Sequence, residues 1–231
     1  MNVLPFLETL VKRAALDYRE GRLDLDGVEG RMRRLFAAKR KARGIERFKS
    51  HVRWRAVAAV EALERTRRAV AKGGVLVAID VGFRDPAPAD ELGVTVWRDG
   101  VFETVNYVAD DRSPFRSLSP CLYGPTEVVP QSDLLARAAE AFAIGDVVAF
   151  HDQHCDVAKL SLTPDARVAD TMRIGGFWFG RRPSLEDLCL RYGISTEHAH
   201  NSGNDSRRTL EALLNLAQDE FPRMPMRVVP G

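Results

Sequence analysis

VLVAIDVG, residues 75–82, is the stretch on which the fold turns. It is a short, almost unbroken apolar run, and a central strand buried on both faces reads this way. Lys72-Gly73-Gly74 stands before it and ends a helix, as glycine does at helix C-termini. Downstream, LGVTVWR (92–98) and VFETVNYV (101–108) flank Asp99-Gly100, a strong two-residue hairpin signal, so they form an antiparallel pair. A loop rich in Ser and Pro follows from Asp110 to Pro130. Strands then alternate with helices. A helix over 132–143 leads to the strand DVVAF (146–150), and a helix near 152–160 leads to ARVAD (166–170). Ser184 caps SLEDLCLRYG, with Glu186 and Asp187 favouring the helix start. A last helix covers about 204–219. The expected fold is a mixed five-stranded sheet flanked by helices.

The region before this sheet reads as helical. Leu4, Leu7, Val11, Ala14 and Tyr18 recur at spacings of three and four. A second helix is capped by Asp24 or Asp26. A third runs over about 45–71, with Phe48, Val52, Ala59 and Leu63 along its apolar stripe. That stripe docks either on the sheet domain or on a partner chain. The expected organisation is a basic helical segment over 1–74, an α/β domain over 75–220 and a tail over 221–231 broken by prolines.

Composition narrows the function classes. The chain has 231 residues, 45% hydrophobic and 29% charged, which is ordinary for a globular protein. No apolar run reaches the roughly 18 residues of a membrane span, and the N-terminus lacks the order of a secretory signal. Three well-separated cysteines, Cys121, Cys155 and Cys189, do not form a disulfide framework. An intracellular, reducing compartment is therefore expected, with mitochondrial import left open. Net charge is only +2, yet residues 31–55 hold eleven Lys or Arg against the single acid Glu46. Such a block, with Arg40, Lys41 and Arg43 at its heart, suits nucleic acid or forms a solvated helix face.

Three acids stand where chemistry is often placed. Asp80 lies near the end of the first strand, Asp156 near the start of the helix after the fourth, and Asp205 at the start of the last. Strand ends and helix starts on one rim can converge, and clustered carboxylates call for a cation. Oxygen ligands suit Mg²⁺ or Mn²⁺. Any one of these aspartates alone reads as a cap or turn residue.

The series IDVG, DELGV, FHDQHCD, VADT and HNSGND resembles the DEDDh-type 3′–5′ exonuclease superfamily, closest to a fungal branch of exonuclease-like proteins. The resemblance spans about residues 75–219 and is most specific at HNSGND. It implies an RNase H-like fold and a two-metal site for Mg²⁺ or Mn²⁺. By the same resemblance Asp80, Asp156 and Asp205 are metal ligands, and His200 is the general base. The implied activity is removal of 5′ mononucleotides from the 3′ end of single-stranded RNA or DNA. The chemistry needs these types: two ions roughly 3.5–4 Å apart clamp the scissile phosphate, and a neutral histidine takes the proton of the attacking water. His151-Asp152-x-x-Cys155-Asp156 resembles the family's His-Asn-x-x-Phe-Asp. The first motif departs further. The family has Asp-x-Glu where this chain has Asp80-Val81-Gly82, so one ligand is missing and the site is incomplete. Asp85 and Glu91 are the nearest acids that could replace it. A degenerate, non-cleaving nucleic-acid-binding module or a protein scaffold is the alternative reading.

Other readings fit less well. Actin-like ATPases and Holliday-junction resolvases also begin with Asp-x-Gly, but the first follow it with a polar phosphate hairpin and the second leave HNSGND unexplained. His151, His154 and Cys155 lack the second donor pair of a zinc site. Phe177 and Trp178, followed by Arg181 and Arg182, could stack bases of a single strand or anchor a loop to the core. The N-terminal helices could also serve a protein partner or self-association.

Overall fold

The computed structural model describes residues 58–83, 88–111, 119–179 and 182–219, with the side chains of Phe83, Phe177, Trp178 and Phe179 outside that description. The basic residues Arg40, Lys41 and Arg43, the acid Asp85 and the C-terminal tail lie outside it as well. A helix, α1, occupies residues 58–71. The strand β1 (Leu76–Phe83) follows, then β2 (Ala89–Arg98) and β3 (Val101–Ala109). β4 (Thr126–Val129), α2 (Gln131–Ile144), β5 (Val147–Phe150) and α3 (Gln153–Lys159) come next. The chain continues through β6 (Val168–Asp170), α4 (Thr171–Phe179), α5 (Leu185–Tyr192) and α6 (Ser202–Gln218).

The sheet order is β4-β3-β2-β1-β5-β6. β1, β2 and β3 are antiparallel neighbours, whereas β5 joins β1, and β6 joins β5, in parallel. The hairpin turn is where its residues predict it: Asp99 has φ 50 and Gly100 φ 85, the left-handed pair that matches strand twist. This is an RNase H-like mixed sheet flanked by helices, with one strand beyond the five expected. β4 falls in the stretch read as a loop. It is four residues long and mostly exposed, so it has no apolar alternation to betray it, and backbone pairing with Asn106–Ala109 defines it.

Side chains of β1 alternate between two cores. Val77, Ile79 and Val81 pack with Leu134 and Phe142 of α2. Leu76 and Ala78 pack with Leu63 of α1 and Leu210, Leu213 and Leu216 of α6. The described end of the third N-terminal helix is thus a wall of the sheet domain's own core. Its Thr66 hydroxyl donates to the Ala62 carbonyl at 2.9 Å and is fully buried. Ser184 makes the expected cap of α5, a full capping box with Asp187.

Helix α4 has no forecast in the sequence, because Gly175-Gly176 depresses helix propensity at its middle. Packing demands the first glycine: a Cβ there would stand 2.7 Å from Cγ of Pro183. Phe177 and Trp178 therefore end a helix and do not sit in a loop.

Candidate active site

Alternation along β1 turns Asp80 and Gly82 to the α6 side, the side of Leu76 and Ala78. Asp80 is paired with Gly93, and Gly82 with Glu91, across the antiparallel ladder. Directly opposed residues share a face, so a glutamate sits beside the empty position of Gly82. It is already engaged: Glu91 is 1% exposed, and its Oε1 accepts from Asn201 Nδ2 at 2.9 Å and from Ser202 N at 3.2 Å. Glu91 anchors the start of α6.

That helix start lies flat on β2. A Cβ at Gly93 would stand 1.8 Å from the Ser202 carbonyl oxygen, so only glycine permits the approach. Asn201 caps α6 by accepting from Asn204 N, and Gly203 N donates to Asn106 Oδ1 at 2.9 Å. These bonds fix Asp205 in the first helical turn.

Asp156 sits in the first turn of α3 and is 5% exposed. Its carboxyl is pushed up to about 9, first by burial and then by the charges of Asp80, Asp152 and Asp170. Asp156 therefore lies within electrostatic reach of Asp80. Oδ2 of Asp156 is buried without a hydrogen-bond partner. Asp205 stands in a different set of contacts. Oδ1 accepts from Arg208 Nη1 at 2.9 Å, and Oδ2 accepts from His200 N at 3.0 Å. Burial raises its carboxyl, and the Arg208 guanidinium opposes that rise. Arg208 is itself 1% exposed and donates to the carbonyls of Ser195 and Glu197. His200 has φ 67 and an exposed ring, held beside Asp205 through its backbone.

The neighbouring groups decide the net field. Asp170, at the end of β6, accepts from Arg173 N and pairs with Arg173 Nε, each at 3.0 Å. His151 is held down at about 4 by burial, which outweighs the upward pull of Asp152. It is neutral at pH 7 and cannot offset the carboxylates. Among the described residues no three His, Cys, Asp or Glu side chains already surround one point as a metal site. A buried carboxylate oxygen without a donor, facing other carboxylates, nevertheless has the chemistry of a cation ligand.

Sequence reasoning named Asp80, Asp156, His200 and Asp205 but missed what Asp152, Asp170 and Arg208 do. The i,i+3 spacing of Asp205 and Arg208 was the available signal for their pairing.

An RNase H-like sheet with acids at the end of its central strand and at two helix starts defines a class of α/β nuclease-type domains. Residues 102–216 match the profile of a family described as DNA polymerase III subunit epsilon-like, C-terminal domain (DEDDh_C). Through this domain the chain belongs to the DEDDh exonuclease superfamily. The matched segment includes Asp156, His200 and Asp205 and begins after Asp80 and Gly82. The structure of the Neurospora crassa Pan2 catalytic unit (protease and nuclease domain) is similar at 17% identity and TM-score 0.47, covering 62% of this chain and 27% of that one. The apo Pan2 pseudoubiquitin hydrolase-RNA exonuclease module of Saccharomyces cerevisiae in complex with AAUUAA RNA is similar at 18% identity and TM-score 0.44, covering 64% and 30%. This chain spans less than a third of either Pan2 chain. No curated protein matches it.

Proposed function

We propose that the domain is a metal-dependent 3′–5′ exonuclease acting on single-stranded RNA or DNA, slowed by the glycine at position 82. The observation that carries this reading is the buried carboxyl of Asp156, whose Oδ2 lacks a donor and which feels the charge of Asp80. Those two carboxylates would hold Mg²⁺ or Mn²⁺, and a bound ion would supply Lewis acidity to the phosphate and its attacking water. His200, exposed and seated on Asp205, accepts the water's proton. Asp205 positions that histidine, and Arg208 positions Asp205. The basic segment over 31–55 holds the strand by its phosphates. Free cysteines at 121, 155 and 189 suit a reducing intracellular compartment. No described helix is long and apolar enough to cross a membrane.

The test is single-turnover cleavage of a 3′-ended single strand in Mg²⁺ and in Mn²⁺. The natural chain is expected to cleave slowly, faster in Mn²⁺. Gly82→Glu should raise the rate at least about tenfold, since even outer partners of a metal ligand contribute 10–100-fold. Asp156→Asn added to it should abolish the gain. Rapid cleavage by the natural chain with no gain from Gly82→Glu would show that the position needs no carboxylate. A second reading, a module that binds nucleic acid without cutting, is favoured by Arg208, which neutralises Asp205. Retained binding with no cleavage by any of the three proteins selects it.

A further inference from the structure

The start of α6 holds two stretches of chain that belong to no helix or strand, a strap over 119–122 and the turn over 195–200 that ends in His200. The strap lies at the surface, with Leu122 44% exposed, yet its backbone polar groups face inward. The Ser119 carbonyl accepts from Asn201 Nδ2 at 3.1 Å, and the Pro120 carbonyl accepts from Asn204 Nδ2 at 2.9 Å. Leu122 N donates to Asn204 Oδ1 at 2.7 Å. The approach is close. A Cβ at Gly203 would stand 2.7 Å from Cys121 Sγ, and one at Gly124 would stand 1.8 Å from the Thr104 carbonyl oxygen. The turn is suspended from the same helix. Arg208 donates to the carbonyls of Ser195 and Glu197. Asn204 Nδ2 donates to the His198 carbonyl at 3.0 Å, and His200 N donates to Asp205 Oδ2 at 3.0 Å. His198 and His200 both have left-handed backbones, φ 52 and φ 67. Residues other than glycine stay in that region only where their surroundings fix them.

Among the described residues, Asp205 and Arg208 bond to the turn, Asn201 to the strap, and Asn204 to both. Asn204 is 0% exposed, and its amide is fully committed. Its orientation is dictated, because Leu122 N can only donate and the two carbonyls can only accept. We propose that Asn204 is a positioning residue for His200, joining the strap over 119–122 to the turn over 195–200 so that the histidine is held in place only while the strap is docked. Lifting the strap would leave a buried amide with its oxygen and one N–H unsatisfied, a costly state that turning the amide or admitting water relieves. Either relief takes the fixed geometry from its bond to the His198 carbonyl, two residues before His200. The strap is thus a latch on the site, and Asn204 is its joint.

The proposal takes from the nuclease reading only the task of His200, and it is tested without substrate or ion. Amide hydrogen exchange, followed by nuclear magnetic resonance on the full chain, reads the N–H groups of Leu122, His200 and Leu213. Leu213 is buried in the core and reports global opening. Asn204→Ala removes all three side-chain bonds. Exchange at Leu122 should quicken because its acceptor is gone. Exchange at His200, whose acceptor Asp205 remains, should quicken about tenfold relative to Leu213, the worth of one hydrogen bond. Gly124→Ala displaces the strap and leaves Asn204 and the turn unaltered in sequence. It should quicken Leu122 and His200 together, and it serves as the second variant should Asn204→Ala not fold. Unchanged exchange at His200, relative to Leu213, in a folded variant whose Leu122 amide has been freed overturns the proposal. Where the natural chain cleaves, either variant should slow single-turnover cleavage by up to about 100-fold, as misplacing a reacting group does, with affinity for the strand unchanged. Faster His200 exchange in the variants with no cleavage by the natural chain supports the latch and removes the nuclease reading. Cleavage by the natural chain with His200 exchange unchanged in the variants does the reverse.

Discussion

Asp156 determines how the metal-free protein responds to pH. Its carboxyl stands at about 9 in the folded chain, against about 3.9 when unfolded. The folded state therefore keeps a proton that the unfolded state has released. Its contribution to stability is complete below about pH 4 and is lost as pH rises toward 9. In chelator, the thermal midpoint should fall from pH 5 to pH 8. Asp156→Asn should flatten that fall and raise the midpoint at pH 8, and Mn²⁺ should restore the natural chain but not the variant. Equal pH slopes in the two proteins would contradict the burial argument. Asp80 and Asp156 were legible in the sequence because each stands at a junction of elements, where a rim forms. The i,i+3 spacing signals the pairing of Asp205 with Arg208, but nothing in one dimension says that both Asp205 oxygens are taken. The role of Glu91 was not legible either, because it depends on the register that sets it opposite Gly82 and against Asn201.

At the scale of elements, the seating of α6 on β2 decides whether the site is assembled. Gly93 allows the Ser202 carbonyl to approach where a Cβ would stand 1.8 Å away. One turn further in, the buried hydroxyls of Thr95, Thr104 and Ser206 form a chain, with Thr95 Oγ1 at 2.9 Å from each partner. Ser206 closes it by donating to the Gly203 carbonyl. Both contacts fix the same helix start, the one that carries His200 and Asp205. Gly93→Ala should lift that start from the sheet and destabilise the fold by at least about 1–3 kcal/mol, the usual range for overpacking. Chemical denaturation measures it. Full stability in a Gly93→Ala protein would show that the helix start can shift without cost. The hairpin at Asp99-Gly100 and the capping box at Ser184 were readable because local chemistry alone dictates them. β4 and α4 were hidden for the opposite reason. One exists through backbone pairing with β3, and the other through packing that overrides two glycines.

For the whole molecule the distribution of charge matters more than its total. The net charge is +2, but eleven of the 34 basic residues fall within 31–55 beside a single acid, so the rest of the chain is net acidic. An acidic domain repels a phosphate backbone, and affinity must then come from the basic segment. The structure also shows that the helix after that segment must be kept. Residues 58–71 pack Val60 and Leu63 into the core beside α6, so removing them would unfold what the experiment needs intact. Replacing Arg40, Lys41 and Arg43 by Gln in the full chain avoids this. Each phosphate neutralised on a single strand contributes a slope of about −0.7 to log affinity against log salt. The triple variant should therefore bind more weakly at low salt, with a slope shallower by up to about 2. The effect should be the same for unrelated sequences, because phosphate contacts do not read bases. Fluorescence anisotropy of a labelled single strand, across a salt series and with melting checked in parallel, reads both quantities. A slope unchanged by the three substitutions would mean that these cations face another part of the chain or a protein partner, and that nucleic acid is held elsewhere.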